Sequence, residues 1–236
     1  MNGTVVRIAA WTLALALVAL PLVAVVNGWV GAERWPLTTL RVNGELHQVD
    51  PAALREVLLP FAQRGFFAVQ LDAAQAAVSR LPWVETAEVR KRWPDTLEVR
   101  VVEHRPIARW GDDRLLSDAG TLFPAAGTQA PKTLPLLDGP DTRTGAVMEL
   151  YGEARELFAP AGVDVRALRL DRRGSWTLQL SNGVDVVVGS REARLRMARF
   201  ARLMPQLLAQ QARPLQRADL RYTNGFALTW GDPTAP

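Results

Sequence analysis

Ala87-Glu88-Val89-Arg90-Lys91-Arg92-Trp93-Pro94-Asp95-Thr96-Leu97-Glu98-Val99-Arg100-Val101 is the stretch on which the fold turns. Ala87 and Val89 alternate with Glu88 and Arg90, and Leu97, Val99 and Val101 alternate with Glu98 and Arg100. A period of two marks a strand with one face buried. Trp93-Pro94-Asp95-Thr96 between the two runs suits a tight turn, with proline at its second position. The segment therefore predicts two strands joined by a turn.

Upstream, Leu40 and Val42 flank Arg41 and lead to Asn43-Gly44, a strand entering a turn. Asp50-Pro51 offers a helix cap followed by proline at the first helical position. Leu54, Val57, Leu58 and Phe61 repeat at helical spacing, with Gly65 as a stop. Asp72 with Gln75 resembles a capping box for a second helix, whose apolar face is Ala74, Ala77, Val78 and Leu81 and whose end is Pro82. The order β-α-α-β-β over 36–105 predicts a small α+β unit, two helices covering one face of three strands.

Downstream, residues 106–230 read as a second, β-rich unit with two or three helices. Short strands are expected at 107–110, 115–117 and 121–123, then a Pro- and Gly-rich loop over 124–140. A helix over 144–159 would bury Val147, Leu150, Tyr151, Ala154, Leu157 and Phe158. Strands at 166–171, 176–180 and 184–188 follow, the last two joined by Ser181-Asn182-Gly183. A helix from Arg191 carries Ala193, Met197, Phe200, Met204 and Leu207 on one face, and Pro205 should kink or split it. Strands at 217–222 and 226–230 close the unit around Thr223-Asn224-Gly225.

At the other end, 25 positions from Ile8 to Ala32 carry no charge. At a rise of 1.5 Å they make roughly 37 Å of helix, against a hydrocarbon core of ~30 Å. Trp11 lies towards one end, Trp29 and Trp35 towards the other, where aromatic rings prefer the interface. The rival is a signal peptide cleaved after Val30-Gly31-Ala32, but the run is much longer than a signal's apolar region. The expectation is a retained anchor at 8–32, a short cytoplasmic tail at 1–7 and a periplasmic remainder, with 231–236 as a C-terminal tail. Arg7 inside, against Glu33 and Arg34 outside, is a thin basis for orientation.

No motif for chemistry emerges. The chain lacks cysteine and has two histidines, His47 and His104, outside any metal-ligand spacing. No nucleophile elbow, phosphate loop or dinucleotide fingerprint occurs. Asp112-Asp113 beside Gly111 reads as a solvated turn. No cofactor or metal is expected, and no enzyme. The net charge of +4 could favour nucleic acid or anionic lipid, but outside the cytoplasm scattered solvated arginines fit better. Arg191, Arg194, Arg196, Arg199 and Arg202 read first as the polar side of an amphipathic helix, and second as a surface for an acidic partner or lipid headgroups. Tyr222, Phe226 and Trp230 crowd the last two strands. They either close the core or mark a sheet edge that accepts a partner's strand, and aromatic enrichment at binding hot spots leans towards the second.

Leu81-Pro82-Trp83-Val84, the segment from Ala87 to Leu97, and Glu103-His104-Arg105-Pro106 together resemble the FtsQ/DivIB family of bacterial cell-division proteins. Asp219-Leu220-Arg221-Tyr222 and Asn224-Gly225-Phe226-Ala227 carry the same resemblance. It implies a POTRA domain followed by the family's β-domain. It also implies a non-enzymatic divisome scaffold at the septum, holding FtsB and FtsL in the periplasm and linking early and late division proteins. By the same resemblance FtsB adds a strand at the last β-strand, with Tyr222 and Trp230 in matching positions and Asn224, Gly225, Phe226 and Leu228 beside them. A contacting arginine is implied shortly before Ser175-Trp176, for which Arg172 and Arg173 compete. The short tails at both ends depart from the family pattern. The alternative is a POTRA-type periplasmic chaperone or transport component that binds unfolded polypeptides, although neither repeated POTRA units nor a membrane barrel accompanies the unit.

Overall fold

The computed structural model describes residues 3–26, 35–125 and 133–232. The chain divides into two units, Met1–His104 and Arg105–Pro236. In the first, α1 (Gly3–Val26) precedes β1 (Thr39–Asn43), α2 (Pro51–Ala62), the single turn α3 (Gly65–Ala68), α4 (Leu71–Val78), β2 (Val84–Arg92) and β3 (Thr96–Glu103). The sheet order is β1-β3-β2. β3 is central, parallel to β1 and antiparallel to β2, and its Leu97, Val99 and Val101 are buried. The period-two residues of the opening segment thus form the middle of this core, covered by Leu54 and Leu58 of α2 and Ala74 and Val78 of α4.

Local chemistry fixes the connections. The Asp50 carboxylate accepts from the Ala52 N–H (2.8 Å) and caps α2, with Pro51 at its first turn. The Glu103 carboxylate accepts from three successive backbone N–H groups, those of His47, Gln48 and Val49, the shortest at 2.8 Å. It thereby ties the loop before α2 to the end of β3. Gly44 has φ +132, and a Cβ there would lie 2.6 Å from the Val101 carbonyl oxygen. Glycine is required there both for the backbone angle and for the close approach.

Two helix ends differ from the sequence reading. α2 stops at Ala62, and Gly65, at φ +78, opens α3 rather than ending α2. Asp72 does not cap α4: Gln70 holds the cap position and Asp72 lies in the first turn, where a carboxylate still favours the helix dipole. Burial of Ala74 and Val78 sets that register. The anchor expected at 8–32 coincides with α1 as far as Val26, and 27–32 lies outside the described residues. α1 begins at Gly3, inside the stretch expected as a tail. Among the described residues no helix is long and apolar enough to cross a membrane.

The second unit is one mixed sheet of nine strands with two helices against it. Its strands are β4 (Pro106–Trp110), β5 (Arg114–Ser117), β6 (Leu122–Pro124), β7 (Leu136–Asp138), β8 (Val165–Leu170), β9 (Trp176–Leu180), β10 (Asp185–Gly189), β11 (Leu215–Asp219) and β12 (Ala227–Trp230). The spatial order is β12-β11-β10-β9-β8-β7-β4-β5-β6. α5 (Thr144–Phe158) connects β7 to β8, and α6 (Ala193–Gln210) connects β10 to β11; both strand pairs are parallel. Parallel neighbours need a crossover of this kind. Val147, Leu150, Ala154 and Phe158 of α5 and Met197, Phe200, Ala201 and Met204 of α6 share one core with the strands. Phe158 and Phe200 meet edge to face at 6.2 Å.

The expected loop at 124–140 conceals β7. Leu137 is fully buried, and Leu136–Asp138 pairs with β4 on one side and β8 on the other. Three residues bounded by Pro135 and Gly139-Pro140 give no readable period. α6 begins at Ala193, after Glu192 in the left-handed region (φ 52), and runs unbroken through Pro205. An interior proline costs about 3 kcal/mol. Burial of Met197, Phe200 and Met204 in the turns before it, each contributing about 1.5–3 kcal/mol, outweighs that cost.

Two substitutions check this account. Glu103→Ala strands three amide donors and should lower first-unit stability by about 2–3 kcal/mol in urea unfolding. Leu137→Ala should cost the second unit about 3 kcal/mol, from the cavity left at the sheet's middle. Unchanged midpoints would refute either assignment.

Candidate functional site

β12 is the edge of the nine-stranded sheet. Its inner side pairs antiparallel with β11, Ala227 opposite Asp219 and Leu228 opposite Ala218, with an irregularity between Leu215 and Arg217. The Gly231 N–H extends the ladder to the Pro214 carbonyl at 2.9 Å. Among the described residues no strand pairs with the outer side. Backbone N–H and C=O groups there face solvent, a template for another strand.

The aromatics of the closing strands divide into two roles. Phe226, Leu228 and Trp230 alternate onto the helix-covered face and are partly buried against the core. Phe226 meets Phe200 edge to face at 5.5 Å. They do close the core. Tyr222 instead is 58% exposed. It lies in a seven-residue loop, 220–226, where the sequence suggested a strand over 217–222 and a connection of three residues; β11 instead ends at Asp219. Asn224 is exposed with it, and Gly225 and Phe226 are half-buried.

That loop is held at several points. The Leu220 N–H donates to the Val187 carbonyl (2.8 Å), and Arg199 Nη1 donates to the Thr223 carbonyl (3.4 Å). Arg221 grips Asp219 with Nε to Oδ1 at 2.9 Å and Nη2 to Oδ2 at 2.6 Å. This two-point bond to Arg221 holds the Asp219 carboxyl below its ordinary value of 3.8, and the same bond raises the Arg221 guanidinium. A Cβ on Gly189, whose φ is +86, would sit 3.0 Å from Arg221 Cγ, so the end of β10 packs against the loop.

Arg172 and Arg173 occupy the β8–β9 turn. The Asp171 carboxylate organises it, accepting from the N–H groups of Arg173 (2.9 Å) and Ser175 (2.7 Å), with Gly174 at φ +81. Both arginines are exposed. Strand register places them: Trp176 pairs with Gly189, Val187 with Asp219, and Asp219 with Ala227. The β8–β9 turn, the end of β10 and the Tyr222 loop therefore share one end of the sheet. From β9 to β12 is three strand spacings, about 14 Å. The structure does not bring either arginine into contact with β12.

The arginines of α6 were read as a solvated face, and three of them have defined partners. Arg194 reaches Glu149 (2.7 Å) and Glu153 (2.6 Å) of α5, Arg196 donates to the Val188 carbonyl (3.2 Å), and Arg199 holds the Tyr222 loop. Sequence reasoning did not find this bracing; an Arg at 196 and 199, one helical turn apart, was its only trace. Among the described residues no group of three or more His, Asp or Glu side chains could hold a metal ion.

Asp219 contributes stability that is complete above the unfolded carboxylate range and is lost as pH falls through its lowered folded value. A carbon-13 NMR titration should find its carboxyl ionising below 3.8, and Arg221→Gln should move the midpoint upwards. An unmoved midpoint would mean that Arg221 does not set it.

Comparison with known proteins gives a concordant result for both units. The family description "POTRA domain, FtsQ-type" matches residues 35–104, and "Cell division protein FtsQ/DivIB, C-terminal" matches 108–221. A protein of Xanthomonas campestris pv. campestris named cell division protein FtsQ is 60% identical over 228 residues, 97% of this chain and 81% of that one. Proteins of the same name are 34% identical in Escherichia coli K12 (97% of this chain, 86% of that one) and 34% identical in Thioalkalivibrio sp. (84% and 82%).

Proposed function

The chain belongs to the FtsQ/DivIB family of cell-division proteins, and from that premise we propose that it is a non-enzymatic divisome scaffold binding FtsB and FtsL in the periplasm. FtsB adds a strand along the outer side of β12. The carrying observation is the open edge of β12 with the exposed Tyr222 ring at its head. Main-chain hydrogen bonds along such an edge supply affinity, and side chains at its rim supply selectivity. Phe226, Leu228 and Trp230 stiffen the strand by packing on α6 and the core. Asn224 and Gly225 shape the loop, and Arg172 or Arg173 offers positive charge to an acidic residue of the partner from the same end of the sheet.

In this reading residues 36–105 are the POTRA domain, 106–230 the β-domain and 231–236 a tail. Residues 8–32 anchor the chain in the inner membrane, with 1–7 cytoplasmic and the rest periplasmic at the division septum. The uncharged run supports the anchor, as do Ile8, Trp11, Leu13, Leu15, Leu17 and Leu20 of α1, all exposed apolar side chains that water would penalise.

Calorimetric titration of the full chain in nanodiscs with the extracytoplasmic segment of the host's FtsB tests the reading. Tyr222→Ala should weaken binding at least about tenfold, roughly 1.4 kcal/mol, with an unchanged circular dichroism spectrum. Arg172→Glu and Arg173→Glu, taken separately, identify which cation contributes. A wild-type chain that ignores FtsB but retains unfolded polypeptides would restore the chaperone alternative.

A further inference from the structure

One end of the first unit carries four aromatic rings that the binding edge leaves unexplained. Trp35 stands edge-on to Phe67 (5.3 Å), Phe67 to Phe66 (5.4 Å) and Phe66 to Trp93 (5.3 Å). Trp93 is 59% exposed and Phe67 43%, an unusual placement for rings that have already found each other. The backbone fastens the group: the Phe66 N–H donates to the Trp35 carbonyl (2.9 Å), and the Thr38 N–H to the Asp95 carbonyl (3.0 Å) in the β2–β3 turn. Lys91 Nζ lies 5.1 Å from the centre of the Phe66 ring and donates to the Phe66 carbonyl (3.1 Å). Arg64, also exposed, adjoins α3.

This end of the unit is also the end nearest the anchor. Thr39 of β1 pairs with Thr96, so β1 begins beside the Trp93 turn and runs away from it towards Gly44. α1 comes against α3, which carries Phe66 and Phe67. The uncharged run ends at Ala32, three residues before Trp35. Three residues span at most about 11 Å fully extended. The headgroup layer is itself roughly 5–8 Å deep on each side. The tether therefore leaves the cluster within or against that layer, with little room for a protein between.

We propose that Trp35, Phe66, Phe67 and Trp93 seat in the lipid headgroup interface and fix the first unit to the bilayer surface, with Lys91 and Arg64 among anionic headgroups. The proposal rests on the anchor at 8–32. Rings that prefer the interface, and cations worth about 1 kcal/mol each near an anionic surface, make lipid the occupant. The orientation that results points Gly44 and the far end of the first-unit sheet away from the membrane.

The absence of cysteine makes single labelling sites available. The full chain, reconstituted in phosphatidylethanolamine/phosphatidylglycerol vesicles, is spin-labelled at Phe67→Cys, Trp93→Cys, Glu45→Cys or Leu15→Cys. Collision with oxygen, which partitions into lipid, is compared with collision with a water-soluble nickel chelate. The labels at 67 and 93 should favour oxygen several-fold over the label at 45, approaching that at 15. If 67 and 93 match 45 while 15 stays in lipid, the interface contact is wrong and the anchor stands. A label at 15 open to the nickel chelate removes the anchor and the contact together. Labels at 67 and 93 shielded from both reagents would mean a protein cover and overturn the lipid assignment.

Discussion

The β-rich unit depends on the two short ladders that flank Leu136–Asp138. On one side β7 pairs with β4, on the other with β8, and among the described residues no other strand pairs the β4-β5-β6 meander to the strands from β8 to β12. Leu137 fills the core at that seam, and Gly139 lets the chain turn under α5, where a Cβ would stand 3.3 Å from both Leu170 Cβ and Val147 Cγ2. Arg114 and Asp141 add a two-point ion pair at 2.8 Å that fastens β5 to the approach to α5. Through this seam the strands behind the open edge at β12 are continued into the rest of the sheet.

The first unit illustrates what a sequence displays well. Val89, Leu97, Val99 and Val101 alternate because one face of each strand is buried and the other wet, and that pattern survives without any knowledge of neighbours. Asp50-Pro51 is equally legible, since cap chemistry is local. Gly65 and Asp72 misled because each is compatible with two positions at a helix end; for Asp72 the packing of Ala74 and Val78 decides between them. β7 was hidden for the opposite reason. Its pairing is wholly non-local, and its three residues carry too little pattern to register against the prolines and glycine around them.

For the edge strand β12 and the loop before it, the aromatic residue types do not reveal which rings are buried and which are exposed. Tyr222 and Phe226 are equally large on paper; α6 supplies Phe200 against Phe226, whereas Tyr222 stays mostly exposed. The link from Arg199 to Thr223 and from Arg221 to Asp219 makes the exposed ring part of a braced loop rather than a floppy one. Ordering such a loop beforehand reduces the entropy that association must overcome.

The two margins of the nine-stranded sheet are unequal. Among the described residues, one margin is β12, open along its length, and the other is β6, three residues long and ending in Pro124, which has no N–H to offer. A sheet that can be lengthened from one margin alone is a chain terminator: it takes on a single strand and gives the next molecule nothing to grow from. Crowded together, such molecules can each be occupied once without zipping into a fibre.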